Sequence, residues 1–319
     1  MNEFFLINKY LKPLSLKNKG AFKLTDDIYF DKSKNLGIST DTYVEGIHFI
    51  DSEDPNKFLK KILRSSLSDL YCKGLKPKSY LLSLSLNKNF VNHKWLNKIK
   101  KILQEEQKKF KISLVGGDTT YSSNLVITIT VLGESKNNPV LRKGATPNND
   151  IYVTGNLGDS YLGLNIIKKK IDLGKFNSFF KKKYYYPNLA TRLHSYLHEI
   201  ATASIDVSDG LAQDLKHLCN QSNSGALINL NLLPLSLCCK KLIKSKKINI
   251  KNIFSKGDDY QILFTSKKMN RSKITNLSKK LSVKISRIGL IKKDKKIVFE
   301  YNNTRFNLNS LKMGYTHIF

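Results

Sequence analysis

Cysteine, arginine and acidic residues are all scarce in this 319-residue chain, and the first two scarcities each argue against a class of protein. The four cysteines, Cys72, Cys219, Cys238 and Cys239, form no Cys-x-x-Cys pair. Neither a disulfide scaffold nor a thiolate zinc site fits that spacing, and a reducing cytoplasm is the expected compartment. No run of 18 apolar residues occurs, and residues 1–10 lack a basic start followed by a long apolar core, so neither a membrane span nor an export signal is expected. A P-loop is absent as well. The single Gly-Lys step, Gly174-Lys175, continues into Phe176, and the spacing of Gly155, Gly158 and Gly163 suits a tight strand-to-helix turn rather than a dinucleotide fingerprint.

What is abundant is positive charge: 55 basic against 25 acidic residues, a formal net charge of +30. A polyanion partner is the first inference from such a balance. Only six of the 55 are Arg, however, which leaves 49 Lys, set in scattered runs such as 168–170, 181–183 and 292–296. Sequence-reading surfaces use the planar fork of Arg, so a solvated Lys-rich surface is expected and no specific nucleic-acid partner. A polyanion-binding protein that uses this surface remains the alternative outside enzymology.

With 40% hydrophobic residues the chain can bury real cores, and its length suits two domains. The pattern predicts a short amphipathic helix over 3–12, a strand over 36–40 running into Asp41, helices over 57–74 and 91–110, and an alternating strand over 79–86. Two β-rich runs, 112–115 and 125–132, are expected on either side of a Gly-Asp-Thr-Thr turn. The polar stretch 134–139 then reads as a boundary. Beyond it come strands at 151–154, 203–206, 225–230, 260–265, 284–290 and 296–301, with helices at 188–199 and 209–220, the latter capped by Ser208 or Asp209. The expected fold class is α+β with two domains: an N-terminal α/β domain over 1–137 and a C-terminal α+β domain over 138–319.

Against so few acids, five groups of Asp stand out among hydroxyls and glycines. They are Asp26-Asp27, Ser39-Thr40-Asp41-Thr42, Ser66-Leu67-Ser68-Asp69, Gly116-Gly117-Asp118-Thr119-Thr120 and Asp206-Val207-Ser208-Asp209-Gly210. One such Asp reads as a turn or cap residue. Five of them, read as small-residue turns at strand ends, supply the hard oxygen ligands that Mg²⁺ and nucleotide phosphates need. No Ser-His-Asp or Cys-His set is visible, and His194 and His198, four apart without a Glu between them in zincin spacing, read as surface residues.

These strings, with Tyr43-Val44-Glu45-Gly46-Ile47-His48-Phe49, Leu157-Gly158-Asp159, Asp214-Leu215 and Gly314-Tyr315-Thr316-His317, occur in an order and spacing that closely resembles the thiamine-monophosphate kinase family over nearly the whole chain. The resemblance implies the fold shared with aminoimidazole-ribonucleotide synthetase and selenophosphate synthetase, with the N-terminal domain binding ATP and Mg²⁺ and forming a homodimer through its sheet. It also implies transfer of the ATP γ-phosphoryl group to thiamine monophosphate, assisted by several Mg²⁺ ions and without a covalent nucleophile. Another ATP-dependent small-molecule synthetase of the same fold is the alternative within enzymology.

Carried over by position, Asp27, Ser39, Thr40, Asp41, Asp69, Asp118, Asp206 and Asp209 resemble the metal ligands. Gly117, Asp118, Arg142 and Ser208 resemble the ATP contacts, and His48, Asp258 and Tyr315 the contacts to thiamine monophosphate. Arg142 also suits phosphate on its own chemistry, because its fork matches two oxygens. In the run Ser255-Lys256-Gly257-Asp258-Asp259-Tyr260-Gln261, Asp258 stands where the family usually has Glu, so that charge sits one methylene shorter.

Overall fold

The structure is a computed structural model and describes residues 2–88, 91–307 and 314. Alternating apolar residues build the first sheet. In β5 (Val126–Glu134), Ile127, Ile129 and Val131 point to one face and are fully buried, as the two-residue period of a half-covered strand requires. Around it lie β1 (Tyr29–Asp31), β2 (Leu36–Val44), β3 (Lys76–Leu86) and β4 (Ser113–Tyr121), in the order β1-β2-β5-β3-β4. All neighbours are antiparallel except β3 and β4, whose parallel pairing needs a crossover.

Among the helices, α1 (Glu3–Leu6) and α2 (Lys12–Ser15) flank a π-helical segment, Ile7–Leu11, and none of these residues is buried. Two long helices, α3 (Leu59–Cys72) and α4 (His93–Phe110), share the core with the buried face of the first sheet, and α4 is the β3-to-β4 crossover. Asn92 caps α4 by accepting from Trp95 N at 2.9 Å, and Lys111 ends it in the left-handed region. On α3 the side chains of Leu59, Leu63, Leu67 and Leu70 are fully buried, each worth about 1.5–3 kcal/mol of transfer free energy.

A second sheet follows residues 135–149. It contains β6 (Asp150–Thr154), β7 (Ala203–Asp206), β8 (Gly225–Asn229), β9 (Ile262–Ser266), β10 (Ile285–Lys292), β11 (Ile297–Tyr301) and β12 (Thr304–Asn307), in the order β12-β11-β8-β10-β6-β9-β7. Strands β6, β7 and β9 are buried along their whole length, because helices cover both faces. One side packs on α5 (Asp159–Ile167), α6 (Asn177–Tyr185), α8 (Leu211–Gln221), α9 (Leu237–Lys244) and α10 (Ile250–Phe254). The other packs on α7 (His194–Ile200) and α11 (Arg271–Leu281), a cluster that also takes in Cys72 at the end of α3. The architecture is therefore mixed α/β with two sheets, and α3 reaches both of them.

Several expectations change. The Gly116–Thr120 string is not a turn but the middle of β4, at the sheet edge and exposed throughout. Its backbone stays extended because Gly117, at φ +154°, lies so close to β3 that a Cβ would collide with the Leu82 carbonyl. Asp41 lies inside β2, which runs on to Val44, and Asp69 lies mid-helix in α3, so neither occupies a turn. Helix α8 starts at Leu211 behind Gly210, without a side-chain cap, and Asp214 Oδ2 accepts the Gly210 N–H at 3.0 Å instead. The 188–199 helix shortens to α7 because residues 191–193 form a 3-10 turn. His194 is half-buried against the Tyr71 ring rather than on the surface. All four cysteines are free, and among the described residues no helix is long and apolar enough to cross a membrane.

Candidate active site

Helix α3 carries Lys61, Ser65 and Asp69 at four-residue intervals, and the same spacing continues to Lys73, the residue that caps its C-terminus. That spacing puts them in one line along the helix. Strand β2 alternates in the other rhythm. Ser39, Asp41 and Tyr43 share one face, while the hydroxyls of Thr40 and Thr42 pair with Thr130 and Thr128 on the other, each at 2.9 Å. The Asp26-Asp27 bend and the end of β7 at Asp206 complete the wall of a cleft of about 1540 Å³.

At its centre, carboxylate oxygens of Asp27, Asp69 and Asp206 lie within 4.8 Å of one another. Hydroxyls hold them in place. Ser39 donates to Asp69 Oδ2, and Ser68 donates to Asp206 Oδ2 at 2.5 Å. Ser208 donates to Asp206 Oδ1 at 3.4 Å. Beside them Tyr43 donates to Asp41 Oδ2 at 3.2 Å and lies 2.6 Å from Ser65 Oγ.

Such crowding is costly for like charges. Burial, then Asp41, Asp206 and Asp27, push the Asp69 carboxyl well above the usual carboxylate range. Burial and then Asp27 push Asp206 up to about 7, against the Ser68 hydrogen bond. Asp41 rises through burial, opposed by Ser66 and Tyr43. Burial also raises Asp209, to about 6, and it accepts from Gln213 at 2.9 Å. Asp27 goes the other way: burial would raise it, but the Arg142 guanidinium and the Lys73 ammonium more than offset that and hold it well below the ordinary value. The clustered carboxylates of Asp27, Asp69 and Asp206, with the hydroxyls of Ser39 and Ser68 bonded to them, form a donor set that a hard divalent cation suits.

One flank of the cleft carries a second constellation. Lys61 Nζ lies 2.7 Å from Asp258 Oδ1 and 3.8 Å from the centre of the Tyr184 ring, and Tyr260 donates to the same Asp258 oxygen at 3.0 Å. His48 faces the cleft too, its Nδ1 accepting the Val44 N–H at 3.0 Å and its ring edge-on to Tyr43. From the N-terminus, Glu3, Phe4, Ile7 and Leu11 line the opening, with Phe4 against His217.

Of the residues expected from the sequence, Asp27, Ser39, Asp41, Asp69, Arg142, Asp206, Ser208, Asp209, His48 and Asp258 all line this cleft. Thr40 reaches its rim while its hydroxyl is engaged by Thr130. Arg142 ion-pairs with Asp27. Gly117 and Asp118 do not join them: β4 carries both on the exposed edge, and neither lines the cleft. Tyr315 lies outside the described residues. Lys61, Lys73 and Tyr184 escaped the sequence reading, and Tyr43 and Ser68 stood in its strings without a role. The four-residue polar spacing on α3 is the signal that could have found Lys61 and Lys73 among 49 lysines.

Residues 23–135 match the family described as AIR synthase related protein, N-terminal domain, which sets the class of the fold. A thiamine-monophosphate kinase of Buchnera aphidicola subsp. Schizaphis graminum is 37% identical over 94% of this chain and 97% of its own length. That of Escherichia coli K12 is 32% identical over 92% and 91%. The solved structure described as AaThiL complexed with AMPPCP and TMP superposes with a TM-score of 0.84 at 26% identity, over 99% of this chain and 97% of that one. The chain belongs to the thiamine-monophosphate kinase family.

Proposed function

We propose that the chain transfers the γ-phosphoryl group of ATP directly and in line to the phosphate of thiamine monophosphate, giving thiamine diphosphate and ADP. The observation that carries this reading is the meeting of Asp27, Asp69 and Asp206 within 4.8 Å. Both reactants are anions, so the barrier is charge repulsion and alignment rather than activation of a weak nucleophile. The acceptor is already ionised and needs neither a strong base nor a covalent intermediate.

Asp27, Asp41, Asp69 and Asp206, with Ser39 and Asp209 beside them, would hold the metal. Magnesium, when bound there, neutralises and orients phosphate oxygens. Arg142 and Ser208 line the same cleft and would hold ATP phosphates. Lys61 fixes the carboxylate of Asp258 on the flank assigned to thiamine monophosphate, where His48 supplies an aromatic wall and Tyr184 a second one. A flat cationic ring beside a carboxylate and aromatic faces is a favourable pairing.

Gly117 and Asp118 fit this reading through a homodimer. The edge strand β4 exposes Leu114, Val115 and Tyr121 next to Asp118, an arrangement that suits burial against a second copy. Residues 1–137 and 138–319 are the two domains of the proposal, and a reducing cytoplasm suits its four free cysteines. The test is direct: purified protein with ATP, Mg²⁺ and thiamine monophosphate should form thiamine diphosphate and ADP, and no thiamine diphosphate would end the proposal.

A further inference from the structure

Among the described residues Lys73 is the largest charged residue that is fully buried, its side chain 0% exposed, and no step above uses it. It follows the last residue of α3, where a cation suits the negative end of the helix. Its stem runs inward, and its ammonium makes one hydrogen bond and two ion pairs. Nζ lies 2.9 Å from Asp26 Oδ1, 2.7 Å from Asp27 Oδ2 and 2.5 Å from the Ser204 carbonyl on β7. Around it the Ser204 hydroxyl donates to Cys72 O at 2.5 Å, and Val140 N donates to Lys73 O at 3.0 Å. The ammonium is thus fixed by α3, β7, the Asp26-Asp27 bend and the segment leading to Arg142.

The two oxygens of Asp27 are consequently unequal. Oδ2 is buried from solvent in an ion pair with Lys73, whereas Oδ1 accepts from the guanidinium of Arg142, a side chain that is 22% exposed and lines the cleft. Asp26 is not among the carboxylates whose oxygens meet in the cluster. Its side chain is 3% exposed, and its oxygens already take Lys73, the Arg142 N–H at 2.8 Å and the Asp27 N–H at 3.0 Å.

We propose that Lys73 is a positioning residue that confines Asp27 to one-oxygen ligation and so favours Mg²⁺ over Ca²⁺ in the cleft. The physical basis is the difference between the two ions. Mg²⁺ demands a compact octahedron of single oxygens, while Ca²⁺ accepts a larger shell and readily takes both oxygens of a carboxylate. An ammonium seated on Oδ2 closes the second mode without touching the metal. The inference rests on the reading of Asp27 as a metal ligand.

Two experiments test it. In crystals of the full chain grown with Mn²⁺, Asp27 should ligate through one oxygen while Lys73 Nζ stays on the other. Ligation through both oxygens, or an Nζ withdrawn from Asp27, overturns the inference. A metal seated away from Asp27 overturns it together with the site reading, and the metal position tells the two failures apart. Second, calorimetric titration of Lys73→Met with Ca²⁺ and with Mg²⁺ alone should show the affinity ratio moving about tenfold toward Ca²⁺, a typical scale for groups that orient metal ligands. An unchanged ratio in folded Lys73→Met overturns the inference, because a purely structural lysine would weaken both ions alike. The crystallographic test needs no variant, so it stands even where Lys73→Met does not fold.

Discussion

The Ser68 hydroxyl donates to Asp206 at 2.5 Å, joining the helix that carries Asp69 to the strand end that completes the acidic cluster. Both side chains are buried, so the bond is made away from water and its loss leaves an acceptor unsatisfied. Ser68→Ala should therefore destabilise the protein by about 1.5–3 kcal/mol, the range for hydrogen bonds to charged groups. Urea unfolding measures this as a lower midpoint at unchanged slope. A loss under about 0.5 kcal/mol, the size of an ordinary surface change, would mean that the bond does not hold the cluster together.

Asp69 sits where function and stability oppose each other. Its carboxyl is raised by burial and by Asp41, Asp206 and Asp27 around it, so the ionised form strains the metal-free fold. Asp69→Asn keeps the shape and removes the charge. Without metal the melting temperature should rise by roughly 2–4 °C, the scale of one kcal/mol in a large domain. Turnover should fall by about 100-fold or more, since a ligand that neutralises phosphate charge is gone. A variant both less stable and equally active would remove Asp69 from the site.

The sequence carried the acidic groups plainly but not their setting. Asp41 and Asp69 stand among serines and threonines, so local chemistry reads as turns, yet one lies in β2 and the other in α3. Packing decided this: Leu63, Leu67 and Leu70 bury α3 so completely that the small hydroxyls between them become its inner face. The Gly-Gly-Asp-Thr-Thr string misled for a related reason. Glycine marks a turn only where nothing else needs its small size, and here Gly117 lets β4 lie against β3. Lys61 and Lys73 were hidden by abundance, because a buried lysine that pairs with a carboxylate is the same letter as 47 others.

Asp118 separates two explanations of its placement. Being exposed on an edge strand, Asp118→Ala should leave stability within about 0.5 kcal/mol of the parent. If β4 presents it to a second copy, kinase activity should nonetheless drop steeply. Mixing Asp118→Ala chains with Asp69→Asn chains should then restore part of that activity, because each mixed pair keeps one intact site. No recovery in chains shown to have exchanged partners would place Asp118 outside the partner's site.

The pH response of the metal-free protein has a defined sign. Burial and neighbouring carboxylates raise Asp206 from 3.8 to about 7, and burial raises Asp209 to about 6. A carboxyl raised on folding binds more protons in the folded chain than in the unfolded one between those limits, so its contribution falls as pH rises. Asp27 acts oppositely: held below 3.8, it contributes stability above that pH and loses it only in stronger acid. From about pH 5 to 7 the cluster should thus lower the melting temperature in the presence of a chelator, with the decline levelling off above pH 7. Mg²⁺ competes with those protons, so its stabilising effect should be small at pH 5 and largest at pH 8. Thermal scans across that range, with chelator and with Mg²⁺, measure both trends. Equal stabilisation by Mg²⁺ at pH 5 and pH 8 would show that the ion binds somewhere other than these carboxylates.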